Sequence, residues 1–242
     1  MKTYKADLHI HTCLSPCADV DMSPRRIAEE AHKNHLEILG VCDHNSAENA
    51  AAVAEAAGRL GIRVFPGLEI ASREEVHILA LFEEVEAALS MQAEIYAHLA
   101  GDNDEAVFGP QVIADVEDNV VGFCPKLLIN AASLSLEGVV DHVRSRNGLA
   151  IAAHIDRESF GLLGQLGFIP ERPALDALEI SPHLSTTEAQ ERFGSTHSLI
   201  RSSDAHALRE IGRATTSFSL EAATIEEIRM ALGGIGGRCI LS

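Results

Sequence analysis

The sequence predicts an α/β protein whose strands form a parallel barrel or a doubly wound sheet. Three observations lead there. Apolar runs short enough to be buried strands alternate with segments whose apolar residues recur at helical spacing. Most of those runs end in His, Asp or Glu, and sheets of this class carry their sites at the carboxyl edge. The chain has 242 residues, a length that one barrel commonly takes, so residues 1–242 are expected to form one domain.

The first strand contains Asp7-Leu8-His9-Ile10-His11-Thr12. Alternation along a strand puts Asp7, His9 and His11 on one face and Ala6, Leu8 and Ile10 on the other. Residues 12–22 form a loop with Pro16, Asp19 and Asp21. Ser23 then caps a helix that has Pro24 in its first turn and Ile27, Ala28 and Ala31 on its apolar stripe. Leu36 to Cys42 is a buried strand delivering Asp43-His44 at its end. Asn45 or Ser46 caps an alanine-rich helix that runs to about Leu60 and closes at Gly61. A third strand, Ile62 to Phe65, leads through Pro66-Gly67 to Glu69, and a fourth, Val76 to Phe82, carries His77.

Residues 83–137 interrupt the rhythm with a helix-like stretch (Glu84 to Ala100), an acidic turn at 101–105 and a mixed segment. They are expected to be an insertion covering the site. The alternation resumes with a helix from Leu136 to Arg146 and a strand from Gly148 to Ala153 ending in His154. Strands at Ala177 to Ile180 and at Leu199-Ile200 lead to Ser181-Pro182-His183 and Ser203-Asp204-Ala205-His206. A strand near Ala214 to Leu220, a helix from Thr224 to Leu232 and a strand from Arg238 to Leu241 complete the chain. The glycines at 233–237 follow a helix instead of preceding one, which makes them a turn and not a phosphate cradle.

The net charge is -17, from 19 basic and 36 acidic residues, and aromatics are 4% with no Trp. That balance disfavours stable binding of duplex nucleic acid or an anionic membrane by the general surface, so phosphate must be attracted locally, as divalent cations would do. The charged, strand-like N-terminus and the lack of a membrane-length apolar run predict neither signal peptide nor anchor, and a cytoplasmic protein. The five scattered cysteines read as thiols, Cys13 and Cys17 lying in the loop near the first strand.

Collected from the strand ends and the first loop, His9, His11, Asp19, His44, Glu69, His77, His154, Asp204 and His206 are too many donors for one tetrahedral ion, which implies two or three metals. No Ser-His-Asp or Cys-His arrangement competes with them, and His32, His35, His98, His142 and His197 sit in helices or loops without a role.

This set resembles the polymerase and histidinol phosphatase (PHP) superfamily. The resemblance lies in His9-Ile10-His11, Asp19 ahead of Ser23-Pro24, Asp43-His44, Gly67-Leu68-Glu69, His77, Ala153-His154 and Asp204-Ala205-His206, spanning residues 7–206. It implies a distorted seven-stranded (β/α) barrel with three divalent ions, Zn, Mn or Fe, at its carboxyl face. His9, His11, Glu69 and Asp204 would hold the first ion, Asp19, His44 and His206 the second, and Glu69, His77 and His154 the third. The loop from His11 to Asp19 is longer than in many members, which leaves Asp21 as a substitute for Asp19.

The implied activity is a metal-dependent phosphoesterase that hydrolyses a small phosphorylated metabolite or nucleotide with water activated between metals. Asp7 and Asp43 are expected to orient histidines. Arg157, placed like the Arg of an Ala-His-Pro-x-Arg stretch but with Ile155 in place of that Pro, is either a phosphate contact or a surface salt bridge. His183 is a candidate general acid or substrate contact. Two other readings stand beside this one: an amidohydrolase-type enzyme, which also opens with His-x-His, and a non-catalytic, metal-stabilised interaction module. Oligomeric state is not readable from the sequence.

Overall fold

In a computed structural model, which describes residues 1–194 and 196–241, the alternation becomes one large sheet wrapped by helices. In chain order the elements are β1 (Lys2–Ile10), α1 (Pro24–Lys33), β2 (Ile38–His44), α2 (Ala50–Gly58), β3 (Arg63–Ala71), β4 (His77–Leu81), α3 (Val85–His98), α4 (Glu105–Phe108), β5 (Val112–Ala114), β6 (Val120–Phe123), α5 (Leu136–Ser145), β7 (Leu149–Ala152), α6 (Leu162–Leu166), β8 (Ala177–Glu179), α7 (Thr186–Phe193), β9 (Leu199–Ile200), β10 (Thr216–Leu220), α8 (Ile225–Leu232) and β11 (Cys239–Leu241). The sheet order is β11-β10-β1-β2-β3-β4-β7-β8-β9. The run from β1 to β9 supplies the seven barrel strands, and β10 and β11 extend it past β1. Behind β9 the chain returns to the start of the sheet, where Ala205 bridges Ile10 and accepts a hydrogen bond from the His11 N–H, so the barrel nearly closes.

The sheet is not wholly parallel, which corrects the expectation. β4 runs antiparallel to both β3 and β7, and β10 runs antiparallel to β1. Only residues 72–76 separate β3 from β4, and a parallel return needs a crossover several times longer. The hairpin places His77 opposite Ala71, at the edge where β3 delivers Glu69.

Two layers of apolar residues hold the fold. Inside the barrel, Leu8, Ile38, Phe65, Leu81, Leu149 and Phe218 belong to one buried cluster; outside it, Ile27, Val53, Met91 and Val140 of the helices pack on Leu39, Val41, Ile70 and Ile78. Strict alternation along β1 fails at one point. Leu8 joins the inner cluster and Ile10 the outer, because the β1–β2 register shifts between Asp7 and Ile10. Close approach needs glycine on the next strand: a Cβ on Gly40 would stand 2.3 Å from the Leu8 carbonyl oxygen.

Several boundaries move. β3 continues through Pro66 and Gly67 as one strand. α2 begins at Ala50, not after Asn45 or Ser46: Asn45 has φ +53° and donates its amide to the carbonyls of Leu128 and Asn130, which makes residues 45–49 a turn that ties down the insertion. Ser23 holds the N-cap position of α1 with extended backbone but makes no side-chain cap bond. α6 and α7 lie in a stretch the periodicity leaves unassigned. Between β4 and α5, α3 and the short α4 precede the β5–β6 hairpin, and the Val112 N–H donates to the Cys13 carbonyl beside the first strand. No described helix is long and apolar enough to cross a membrane.

Candidate metal centre

The strand ends converge, helped on β1 by the register shift between Asp7 and Ile10. His9 and His11, both fully buried, leave β1 with their Nε2 atoms 3.1 Å apart. Hydrogen bonds fix both rings. His9 Nδ1 meets Glu179 Oε2 at 3.0 Å, and a carboxylate can only accept, so the proton is on Nδ1. His11 Nδ1 meets Ser15 Oγ at 3.0 Å; Ser15 spends its single proton on Asp43 Oδ1 at 2.6 Å, so it accepts from His11. Each imidazole therefore turns Nε2 inward. There the His9 Nε2 lies 3.4 Å from Glu69 Oε1 and 3.3 Å from Asp204 Oδ1, and the His11 Nε2 lies 3.4 Å from Glu69 Oε2 and 3.2 Å from Asp204 Oδ1.

These separations test the fit of a cation. Donors about 2.1 Å from a common ion, at angles of roughly 90–110°, stand about 3.0–3.4 Å apart. Asp204 Oδ1 is buried and makes no hydrogen bond although two ring nitrogens are close. Donors crowded without hydrogen-bond geometry are arranged as ligands of one ion are. The residues fit.

Glu69 meets three further candidate histidines. Its Oε1 lies 2.8 Å from His77 Nδ1 and 3.0 Å from His154 Nε2, while Oε2 lies 3.0 Å from His44 Nδ1. Burial raises the Glu69 carboxyl, but His77, His9 and His44 outweigh it and hold it well below the usual range. Burial opposes charge on His9; the carboxylates of Glu179, Asp204 and Glu69 prevail, so this ring favours the positive form. His11, beside His206 and His44, is pushed the other way by burial. His154 (φ +29°) and Asp204 (φ +51°) reach the pocket from left-handed backbone, which non-glycine residues adopt at a cost.

Not every predicted residue arrives. The Asp19 side chain is 61% exposed and points to Arg209 Nη1 at 3.9 Å, while its N–H donates to the His206 carbonyl. Asp21 pairs with Arg26 on the surface. Neither reaches His44 or His206. In their place the Cys17 thiol stands with His11, His44 and His206, all donor atoms within 4.8 Å of one another. Burial raises that thiol, but the neighbouring His206 and His44 rings pull it down to about 7, whereas burial pushes Cys13 up to about 12. Cys13 instead faces the Val112 carbonyl.

Asp43 orients His11 through Ser15, as expected of it in kind, and also accepts from the Thr12 N–H and hydroxyl. Asp7 does not touch a ring; its carboxylate accepts the N–H groups of Ser203 and Gly212 and so braces the Asp204 turn. Arg157 sits at the mouth, its Nη2 2.6 Å from Asp204 Oδ2. Together with the exposed His183 it lines a cleft bounded by Asp156, Leu163 and Arg192.

Sequence reasoning missed two residues besides Cys17. Glu179 accepts from both the His9 ring and the His154 N–H. It ends a strand as the other donors do, which was the available signal. Phe160 stacks on His77 with centroids 4.6 Å apart, and nothing in the sequence singled it out.

A family model described as the PHP domain matches residues 7–157, and one described as PHP-associated matches residues 199–233. The chain belongs to the PHP domain family. Over 82 residues it is 32% identical to a 5'-3' exoribonuclease of Haemophilus influenzae, a match covering 33% of this chain and 29% of that one. Its fold superposes on the lesion-specific endonuclease EndoQ of Pyrococcus furiosus with a TM-score of 0.76 and 20% identity, covering 99% of this chain and 58% of that one. An amidohydrolase of Chromobacterium violaceum superposes with a TM-score of 0.56 at 22% identity, covering 87% and 90%. The chain spans less than two thirds of the length of the exoribonuclease and of the endonuclease.

One expectation is overturned here. Endonuclease Q, with the same fold, is seen in complex with a 27-mer duplex carrying an abasic lesion at its active site, at a TM-score of 0.75 to this chain. Excluding duplex binding from net charge conflicts with that finding. The physical reason is that whole-chain charge does not set the potential at a pocket where imidazoles, and any ions they hold, dominate the local field.

Proposed function

We propose that this chain is a metal-dependent hydrolase of phosphoesters, acting on a small phosphorylated metabolite or a nucleotide. Residues 1–242 would work as one PHP unit, with 83–137 over the mouth. The observation that carries the reading is the crowding of His9, His11, Glu69 and Asp204 at metal-ligand separations around a carboxylate oxygen with no hydrogen bond.

His9, His11, Glu69 and Asp204 would hold one ion, Glu69 with His77 and His154 another, and His44 with His206 a third, Glu69 being shared. Bound divalent ions supply an attacking water at neutral pH and offset charge on the phosphoryl oxygens. The protein's own groups do the rest. Glu179 and the Ser15–Asp43 pair hold the two first-strand imidazoles in the tautomer that turns Nε2 inward. Arg157, with its guanidinium at the mouth, can leave Asp204 to bind non-bridging phosphate oxygens in the forked geometry that arginine favours. His183, across the same cleft, can meet the leaving group.

The test is elemental analysis of the purified protein paired with a substrate screen: phosphomonoesters, cyclic and terminal phosphodiesters, nucleic-acid ends, and amides as the competing class. Metal-dependent phosphoester turnover that His9→Ala abolishes supports the reading. Turnover surviving that substitution at full rate, or turnover of amides alone, overturns it.

A further inference from the structure

We propose that the Cys17 thiolate is the third protein donor of the position formed by His44 and His206, and that it makes this position select a thiophilic ion, zinc or cobalt(II), over manganese. The inference rests on the metal-centre reading and adds to it the identity of one ligand and the metal preference that follows.

The loop that carries Cys17 is fixed by its own backbone. Ser15 N–H donates to Thr12 O, Ala18 N–H to Ser15 O, Met22 N–H to Asp19 O and Cys13 N–H to Met22 O. The Asp19 N–H, 2.8 Å from the His206 carbonyl, staples this loop to the loop that carries Asp204 and His206. With that staple in place the Asp19 side chain faces solvent, and the residue two positions earlier presents its thiol to both histidines. For Asp19 to reach His44, the staple and the turn behind it must break. Cys17 needs no such rearrangement.

The donor count also closes. His11 is within reach of the same point, but its Nδ1 is committed to Ser15 and its Nε2 faces Glu69 and Asp204. His206 Nδ1 lies 2.9 Å from the Asp204 carbonyl, to which it donates, so its Nε2 is the free donor. Cys17, His44 and His206 are then three protein ligands, the number that a catalytic zinc site uses while keeping a fourth position open. A thiolate among imidazoles is a soft set that favours zinc and cobalt(II), whereas manganese favours carboxylate and water oxygens. The other four cysteines do not compete: Cys13, Cys42 and Cys124 are buried elsewhere, and Cys239 lies on the last strand.

The experiment is cobalt(II) titration of metal-stripped full chain followed by absorption spectroscopy, for wild type, Cys17→Ser, Cys17→Asp and Cys13→Ser, with circular dichroism to confirm folding. Wild type and Cys13→Ser are expected to develop a near-ultraviolet thiolate-to-cobalt charge-transfer band, and Cys17→Ser to lose it while keeping the visible bands of cobalt in the His and carboxylate positions. In zinc–manganese competition read by elemental analysis, Cys17→Asp is expected to move the retained ratio toward manganese by on the order of tenfold. Visible cobalt bands in wild type with no charge-transfer band would overturn the thiolate ligand and leave the metal centre standing; so would a band that follows Cys13. No cobalt uptake at all would overturn the metal-centre reading itself, and this inference with it. If Cys17→Ser does not fold, the wild-type band and the Cys17→Asp ratio decide.

Discussion

The two halves of the metal centre are built differently. The inner half takes His9, His11 and Glu69 from the buried interiors and ends of strands, each at most 1% exposed, and Glu179, Ser15 and Asp43 lock its rings from behind. The outer half takes Cys17 and His206 from loops at the rim, where the His206 side chain is 29% exposed and is held by the Asp204 carbonyl on its own loop and by the backbone contact between the two loops. A strand dictates where its side chains point; a loop is told by whatever it touches. The inner half should therefore be rigid and costly to perturb, and the outer half adjustable in the ion it accepts.

The strongest way to break this contrast is Glu69→Gln, which keeps the volume but removes the charge that His9, His11, His44, His77 and His154 all face. Turnover should fall by more than the 10- to 100-fold that losing an outer partner costs, to below about 1% of wild type, and elemental analysis should show fewer ions per chain. Glu179→Gln tests the lock alone: metal affinity of the inner position should drop roughly 10- to 100-fold in chelator competition, with the fold intact by circular dichroism.

Chelation of wild type compares the halves through stability. Removing ions held at about a hundred times their dissociation constant costs about 2.7 kcal/mol, which lowers Tm by on the order of 5–10 °C in a chain of this size. A calorimetric scan with and without chelator checks it, and an unchanged Tm would mean that the buried donors need no ion. Because the imidazoles must shed protons to bind metal, affinity should also weaken as pH falls from about 8 to about 6. The smallest effect is expected of Asp19→Ala: its contact with Arg209 is an exposed ion pair of the kind worth little, so metal content and turnover should stay within about twofold of wild type. A large loss there would show that the loop rearranges on metal binding.

The same division explains what the sequence made legible. His9, His11, His44, Glu69, His77, His154 and Asp204 were nominated because apolar runs announce strands and their flanking residues gather at a common edge, His77 doing so from the start of a reversed strand. The reversed strand β4 was masked by the rhythm of the preceding units, and the five-residue link that forbids a crossover emerges only because β3 runs on to Ala71. Asp19 was nominated by pattern, and its failure to arrive depends on a single N–H reaching the carbonyl of a residue far along the chain, a contact that no local periodicity encodes. Cys17 was hidden for the converse reason: in sequence it is one of five scattered thiols, and only the fold brings it to His44 and His206. Glu179 sat in plain view at a strand end, but a lone carboxylate with no partner in sequence carries no role until the His9 ring lies against it.

One feature of the insertion reaches beyond the centre itself. Leu99 and Ala132 bridge each other where the excursion between them leaves and rejoins the barrel, and the Asn45 amide pins its returning limb. Lengthening such an excursion is cheap, about 0.6 kcal/mol for each doubling. Exchanging what lies beyond that bridge is another matter, because Val112 holds the Cys13 carbonyl and Asn49 holds both Val112 and Ala114, so a new excursion would have to rebuild the seat of the loop that carries Cys17.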